Sequence, residues 1–373
     1  MGNNPIRVLH VIGIMNRGGA ENMIMNLYRG IDRTKIQFDF VEHTSDHAAF
    51  DDEILSMGGH IYYCPRYNGK NHFSYIRWWK NFFQDHAKEY PIIHGHIGST
   101  AAIYLSIAKK YGLYTIAHSH SAGAGSVIFR CFSYPTRFVA DHFFACSYDA
   151  GTSRYGNKVG QNPQLCQTLN NAIDTDKFIF NADIRKDYRE QLKIHPDTLV
   201  VGHTGRFVDA KNHSFLLDVF AVVHKHKPDS VLLLVGDGEL RPQIEDKIQQ
   251  LHLEDAVIFT GVRNNVYDYY QVMDVFVMPS LYEGFPVTLV EAQAAGLPCL
   301  ISDTIPDEVT LTDLIHFASL KSSPEIWAES IDRLSVCPRK NMGQEIRNKG
   351  YDIHSTASQL QRFYENVVKG YER

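Results

Sequence analysis

Short β-branched runs alternate with longer amphipathic stretches from one end of the chain to the other. Parallel sheets with crossover helices produce this alternation, because each strand must be followed by a helix that returns the chain to the same edge. In the first half the runs predict strands over Arg7 to Gly13, Gln37 to Glu42, Ile61 to Cys64, Ile92 to His96, Tyr114 to His118 and His142 to Cys146. Helical spacing fills the intervals, as at Ala20 to Gly30 and Ala101 to Tyr111. After a polar, charged stretch, Asp174 to Pro196, the pattern restarts with strands over Leu199 to Gly205, Val231 to Gly236, Val257 to Thr260, Val275 to Met278 and Cys299 to Ser302. Helices are expected over Pro324 to Ser335, Asn341 to Gly350 and finally Thr356 to Glu372, whose apolar positions include Leu360, Phe363, Tyr364, Val367 and Val368. The pattern gives an α/β chain of two doubly wound domains, 1–172 and 173–355.

Length agrees with that division, since 373 residues exceed what one core usually supports. Two such domains imply a cleft between them. Hydrophobic residues at 44% and charged ones at 21% are ordinary for a globular protein. A net charge of −5 with interspersed signs excludes a nucleic-acid partner held by a broad basic face, so any anion must be gripped locally. The cysteines, Cys64, Cys131, Cys146, Cys166, Cys299 and Cys337, are far apart and form no C-x-x-C pair, which fits reduced thiols. The N-terminal apolar run is only strand-long, and no run approaches the ~18 residues of a spanning helix. The expectation is a cytoplasmic protein, at most peripheral at the inner face of a membrane.

Three places carry candidate chemistry. The first strand ends in Gly13-Ile14-Met15-Asn16-Arg17-Gly18-Gly19-Ala20-Glu21, a loop opening into a helix, where backbone N–H groups face outward. Gly18 and Gly19 there either meet an anion or simply make a tight turn. The second domain opens with Gly205-Arg206-Phe207-Val208-Asp209-Ala210-Lys211-Asn212, whose two cations beside a helix start can neutralise a diphosphate. The third, Pro279-Ser280-Leu281-Tyr282-Glu283-Gly284-Phe285-Pro286-Val287-Thr288-Leu289-Val290-Glu291-Ala292, follows a strand with a turn and a helix. In a doubly wound sheet that turn lies outside the carboxyl end of the strand, where ligands bind. Glu283 before the helix and Glu291 in its second turn can reach opposite ends of one ligand, while the Val287 and Thr288 amides face its phosphates. Glu291 can accept hydrogen bonds from a ribose diol.

The combination of Gly18-Gly19-Ala20-Glu21, Gly205-Arg206 with Lys211-Asn212, and Glu283 seven residues before Glu291 resembles the retaining glycosyltransferases of family 4, in order and spacing along nearly the whole chain. The resemblance implies a GT-B fold, two Rossmann-like domains facing a deep cleft with the last helix packed back on the first domain. It further implies that Arg206 and Lys211 bind the donor diphosphate and stabilise the leaving group. Glu291 would hold the ribose, and Glu283 with the Gly284-Phe285 backbone the sugar hydroxyls. Gly19 would approach the phosphates, and the base would be held largely by backbone near Gly261-Val262-Arg263. A first-domain histidine faces the transferred sugar in relatives; His118 in Ala117-His118-Ser119-His120-Ser121 is the match, with His120 the alternative. One departure is Asn171-Ala172-Ile173-Asp174, where relatives often have Asn-Gly-Ile-Asp.

The activity implied is transfer with retention from a nucleotide diphosphate-sugar, UDP being the commonest carrier in the family, to a glycan or lipid-linked acceptor in bacterial exopolysaccharide or other cell-surface glycan assembly. No metal or other cofactor is expected, because Arg206, Lys211 and a helix N-terminus can stabilise the departing charge, and no Asp-x-Asp stands beside a strand end. The aromatic, partly basic segment Phe73-Ser74-Tyr75-Ile76-Arg77-Trp78-Trp79-Lys80-Asn81-Phe82-Phe83 reads in two ways, as a membrane-touching surface or as a helix's packing face. Sugar-nucleotide epimerases share the architecture, and a non-catalytic nucleotide-sugar binder is a further class. Gly236-Asp237-Gly238-Glu239 supplies only a lone G-x-G for a dinucleotide reading.

Overall fold

A computed structural model describes residues 4–16, 18–120 and 133–371; Arg17 and Cys131 lie outside these. It divides into two compact units, one of residues 1–172 with 353–373, the other of 173–352. In the first unit β1 (Ile6–Ile12), β2 (Ile36–Glu42), β3 (Ile61–Tyr63), β4 (Ile92–Gly95), β5 (Tyr114–Ser119), β6 (His142–Ala145) and β7 (Cys166–Thr168) form one sheet in the order β3-β2-β1-β4-β5-β6-β7. All its pairs are parallel. Helices α1 (Gly19–Gly30) and α2 (His72–His86) cover opposite faces. Alternation along β1 sorts its residues: Val8 and Ile12 pack with α1, while Leu9 and Val11 pack with α2.

In the second unit β8 (Val200–Thr204), β9 (Val231–Val235), β10 (Val257–Gly261), β11 (Val275–Met278), β12 (Cys299–Ser302) and β13 (Ile315–Ala318) run in the order β10-β9-β8-β11-β12-β13, again all parallel. Helix α3 (Val266–Val272) precedes β11, and α4 (Val287–Ala294) follows it. The order reverses at β1/β4 in the first sheet and at β8/β11 in the second. Loops leaving the carboxyl ends of such neighbours diverge to opposite faces and open a crevice.

The closing helix α5 (Ile353–Tyr371) belongs to the first unit. Its Ile353, Ala357, Leu360 and Tyr364 share a core with Met23, Leu27 and Tyr28 of α1. Gly30 permits this approach, since a Cβ there would stand 3.2 Å from that of Ala357.

Three features depart from the expected elements. Strands β7 and β13 were not anticipated; both are short edge strands with partly exposed residues, so neither shows the apolar run of a central strand. The polar stretch after Asp174 holds a helix, Ala182–Gln191. It is anchored by charge rather than by an apolar stripe: Arg185 donates to the carbonyls of Gln271, Val272 and Met273, and Arg185 and Arg189 both pair with Asp274. Among the described residues no disulfide forms; Cys64, Cys146, Cys166 and Cys299 are buried thiols and Cys337 is exposed.

Candidate functional site

At the switch point of the second sheet, two loops are pinned to each other. The loop after β8 turns through a short 3-10 helix, Asp209–Lys211, and leaves by Asn212 in the left-handed conformation, φ 53°. Phe207 anchors it by full burial against His213 and Phe259. Backbone packs on backbone here: a Cβ on Gly236 would lie 2.0 Å from the Gly205 carbonyl oxygen, and one on Gly238 would lie 2.5 Å from that of Phe207. The lone G-x-G is thus explained by close packing of two loops. The loop after β11 joins them, the Leu281 amide donating to the Ala210 carbonyl.

This pinning sets the charged side chains. Lys211 Nζ donates to Glu283 Oε1 at 2.6 Å, both side chains being about six-sevenths buried, at 16% and 14% exposed. Arg206, on the same loop, is exposed and forms no ion pair among the described residues. Glu291, on the first turns of α4, accepts from the Tyr270 hydroxyl of α3 at 2.8 Å. Burial pushes the Glu291 carboxyl up to about 7 against the opposing pull of that hydrogen bond. Val287 and Thr288 open α4, and Thr288 Oγ1 is buried without a partner. Phe285 turns inward to stack on Tyr351 at 5.1 Å, whereas a Cβ on Gly284 would meet nothing within 4 Å. Gly284 therefore leaves open space on the backbone side beside Glu283. Val262, just beyond β10, is 57% exposed.

The remaining sequence candidates lie in the first unit. Gly18 caps α1 with extended backbone, and a Cβ there would collide with the Glu21 carboxylate at 2.2 Å, while Gly19 has open space. His118 and His120 both reach one cavity of about 330 Å³ at the carboxyl ends of β1, β4 and β5, lined also by Gly13, Ala20, Glu21 and His96. His118 Nδ1 lies 3.2 Å from His94 Nε2, and His120 Nε2 lies 2.8 Å from His96 Nδ1. Burial first, then neighbouring imidazoles, holds His118 well below the usual histidine range, and burial brings His120 down to about 4. Both rings are therefore neutral at pH 7.

Helix α2 buries Tyr75, Trp79, Phe82 and Phe83, so most of the aromatic stripe is a packing face. What it leaves outside is Phe73, 82% exposed, with Arg77 and Lys80. Among the described residues no helix is long and apolar enough to cross a membrane.

Sequence reasoning missed Tyr270, which fixes Glu291, and the full row of first-unit histidines. Tyr270 has no motif around it. The histidines do leave a signal, the i, i+2 pairs His94/His96 and His118/His120 at the carboxyl ends of β4 and β5.

Residues 184–351 match the family described as glycosyl transferases group 1. EpsF of Bacillus subtilis (strain 168), a glycosyltransferase by assignment, is 35% identical over 98% of this chain and 97% of its own. An Escherichia coli UDP-Gal:alpha-D-GlcNAc-diphosphoundecaprenol alpha-1,3-galactosyltransferase is 32% identical over 38% of each chain. Among solved structures, HepE of Anabaena in complex with UDP has a TM-score of 0.79 at 16% identity, covering 97% of this chain and all of that one. Sucrose-phosphate synthase from Thermosynechococcus elongatus gives 0.76 at 20%, over 98% and 100%. These last two agree in fold, two Rossmann-like sheets of the GT-B kind. Identity of this degree along nearly the whole of a relative, joined to the match over the second unit, makes this chain a member of the group 1 glycosyl transferases, and a glycosyltransferase by activity.

Proposed function

We propose that the enzyme transfers a sugar, with retention and without a divalent metal, from a UDP-sugar to a glycan or lipid-linked acceptor in cell-surface polysaccharide assembly. The observation that carries this is the placement of Lys211 and Glu283 on loops pinned together at the β8/β11 switch point, with Glu291 on the helix that follows. UDP is favoured by the UDP complex of HepE and by the UDP-Gal donor named for the E. coli relative. The polysaccharide setting is favoured by relatives such as the capsular polysaccharide biosynthesis glycosyltransferase CapH of Staphylococcus aureus, 24% identical over 96% of this chain.

In the reaction the bond from the anomeric carbon to the diphosphate oxygen breaks, charge collects on the phosphates, and the carbon passes through an oxocarbenium-like state. Lys211, Arg206 and the amides of Val287 and Thr288 at the start of α4 act on that charge. Glu283 and the Gly284-Phe285 backbone hold the sugar hydroxyls, Glu291 the ribose, and Val262 flanks the base. Gly18 and Gly19 offer amides to the phosphates, and His118 faces the sugar. The acceptor oxygen bonds to the anomeric carbon on the face the phosphate leaves, and the departing phosphate oxygen takes the acceptor's proton. Phe73, Arg77 and Lys80 make peripheral contact with a membrane that carries the acceptor. The protein acts on the cytoplasmic side.

A thermal-shift screen against UDP, GDP, ADP and their sugars, with and without EDTA, tests the donor. Ligand at ~100 Kd stabilises by about 2.7 kcal/mol. Stabilisation by UDP species alone, unaffected by EDTA and lost in Glu291→Ala, is expected. Product NMR decides stereochemistry, a β-linked product from an α-linked donor refuting retention. Flotation without binding to anionic vesicles retires the membrane contact.

A further inference from the structure

The first unit carries an arrangement of which sugar transfer, as proposed above, uses only His118. His10, His94, His96, His118 and His120 all stand on one side of the sheet, because residues two apart on a strand share a face and β1, β4 and β5 are neighbours. They form two hydrogen-bonded rows. In one, the Tyr364 hydroxyl meets His94 Nδ1 at 2.6 Å, and His94 Nε2 meets His118 Nδ1 at 3.2 Å. In the other, His10 Nδ1 meets His96 Nε2 at 2.9 Å, and His96 Nδ1 meets His120 Nε2 at 2.8 Å. Both rows end at the same cavity in a buried ring nitrogen without a partner, His118 Nε2 and His120 Nδ1.

Buried polar atoms are rarely left unpaired, so His118 Nε2, unmatched at this cavity, points to a ligand. One nitrogen each of His96, His118 and His120 lies within 4.8 Å of the other two. A cation bound at about 2.0–2.1 Å keeps its ligand atoms within about 4 Å of each other, so modest ring rotation completes the set. The rows also supply the outer support that metal-bound histidines normally have. His118 is held from behind by His94, itself held by Tyr364, and His96 is held by His10. Imidazole ligands suit zinc, nickel and copper and do not suit magnesium or calcium, which take oxygen. Glu21 lines the same cavity.

We propose that His96, His118 and His120 form a site for a divalent transition-metal cation, zinc being the one to test, in the wall of the first unit's cavity. The ion replaces the direct His96–His120 hydrogen bond with two bonds to a shared centre. It takes no part in transfer; if His118 faces the sugar as proposed above, zinc inhibits.

The full chain, stripped of metal, is dialysed against 10 µM zinc or magnesium, and bound metal is measured by plasma mass spectrometry. One equivalent of zinc and no magnesium are expected. Affinity should fall at least tenfold in His96→Gln and in His120→Gln, and should be unchanged in His142→Gln, which alters a buried histidine outside the triad; circular dichroism checks the fold. Should the triad variants fail to fold, cobalt(II) added to the wild-type chain decides, through the intense visible bands of a low-coordinate imidazole site. Zinc well below one equivalent, zinc binding that persists in the folded triad variants, or a cobalt spectrum like that of the aqueous ion overturns the proposal. None of these readouts depends on transferase activity.

Discussion

Glu291, proposed above as the ribose partner, has its carboxyl raised to about 7 by burial. Only the ionised form accepts from both hydroxyls of a diol, so nucleotide affinity should rise with pH through this range. With a group near 7, the ionised fraction falls about tenfold from pH 8 to pH 6. Isothermal calorimetry with UDP should show about that loss in the wild type beyond any seen in Glu291→Gln, which should bind more weakly with a flatter profile. Lys211 and Glu283 call for a paired test. Lys211→Met strands a largely buried carboxylate and should lower stability by about 1.5–3 kcal/mol. Adding Glu283→Gln should restore most of that in chemical denaturation, while initial rates stay down about 10²–10³-fold, since on the proposed mechanism the charge on the leaving group goes unmet in both. The motif spacing singled out these three residues from the chain alone, and the fold joins two of them, Lys211 and Glu283, in one ion pair. Tyr270 was not, because its contact with Glu291 joins two helices that only the fold brings together.

At the scale of elements, central strands and long amphipathic helices were readable because burial on two faces, or on one stripe, imprints a period on the sequence. Edge strands β7 and β13 carry half that burial, and Ala182–Gln191 substitutes arginine hydrogen bonds for an apolar stripe, so neither left the expected trace. The closing helix α5 was legible by its stripe, and the energetic test of its role lies at Leu360, only 1% exposed. Leu360→Ala should cost about 2–5 kcal/mol. Hydrogen exchange should quicken in α1 and α5, with β8 to β13 unchanged.

For the molecule as a whole, stability is set between two opposed titrations. Burial lowers His43, His142 and His213 to about 4. The unfolded chain therefore binds protons that the folded one refuses, and stability is lost as pH falls below about 6.5. Glu42 runs the other way, raised to about 8 by burial and then by Asp51. The folded state there keeps a proton that the unfolded state releases, so stability is lost as pH climbs from about 4.5 towards 8. Melting temperature against pH should peak near 6.5, and Glu42→Gln should flatten the alkaline side and steepen the rise between about 4.5 and 6.5. The path of the chain has a separate consequence, because it leaves the first unit at residue 172, builds the second, and returns at 353. During synthesis the first sheet thus emerges roughly 180 residues ahead of the helix that covers one of its faces, a wait of about 10–40 s at ordinary translation rates. The nascent chain must carry Met23, Leu27, Tyr28 and Phe38 without that covering helix through the interval.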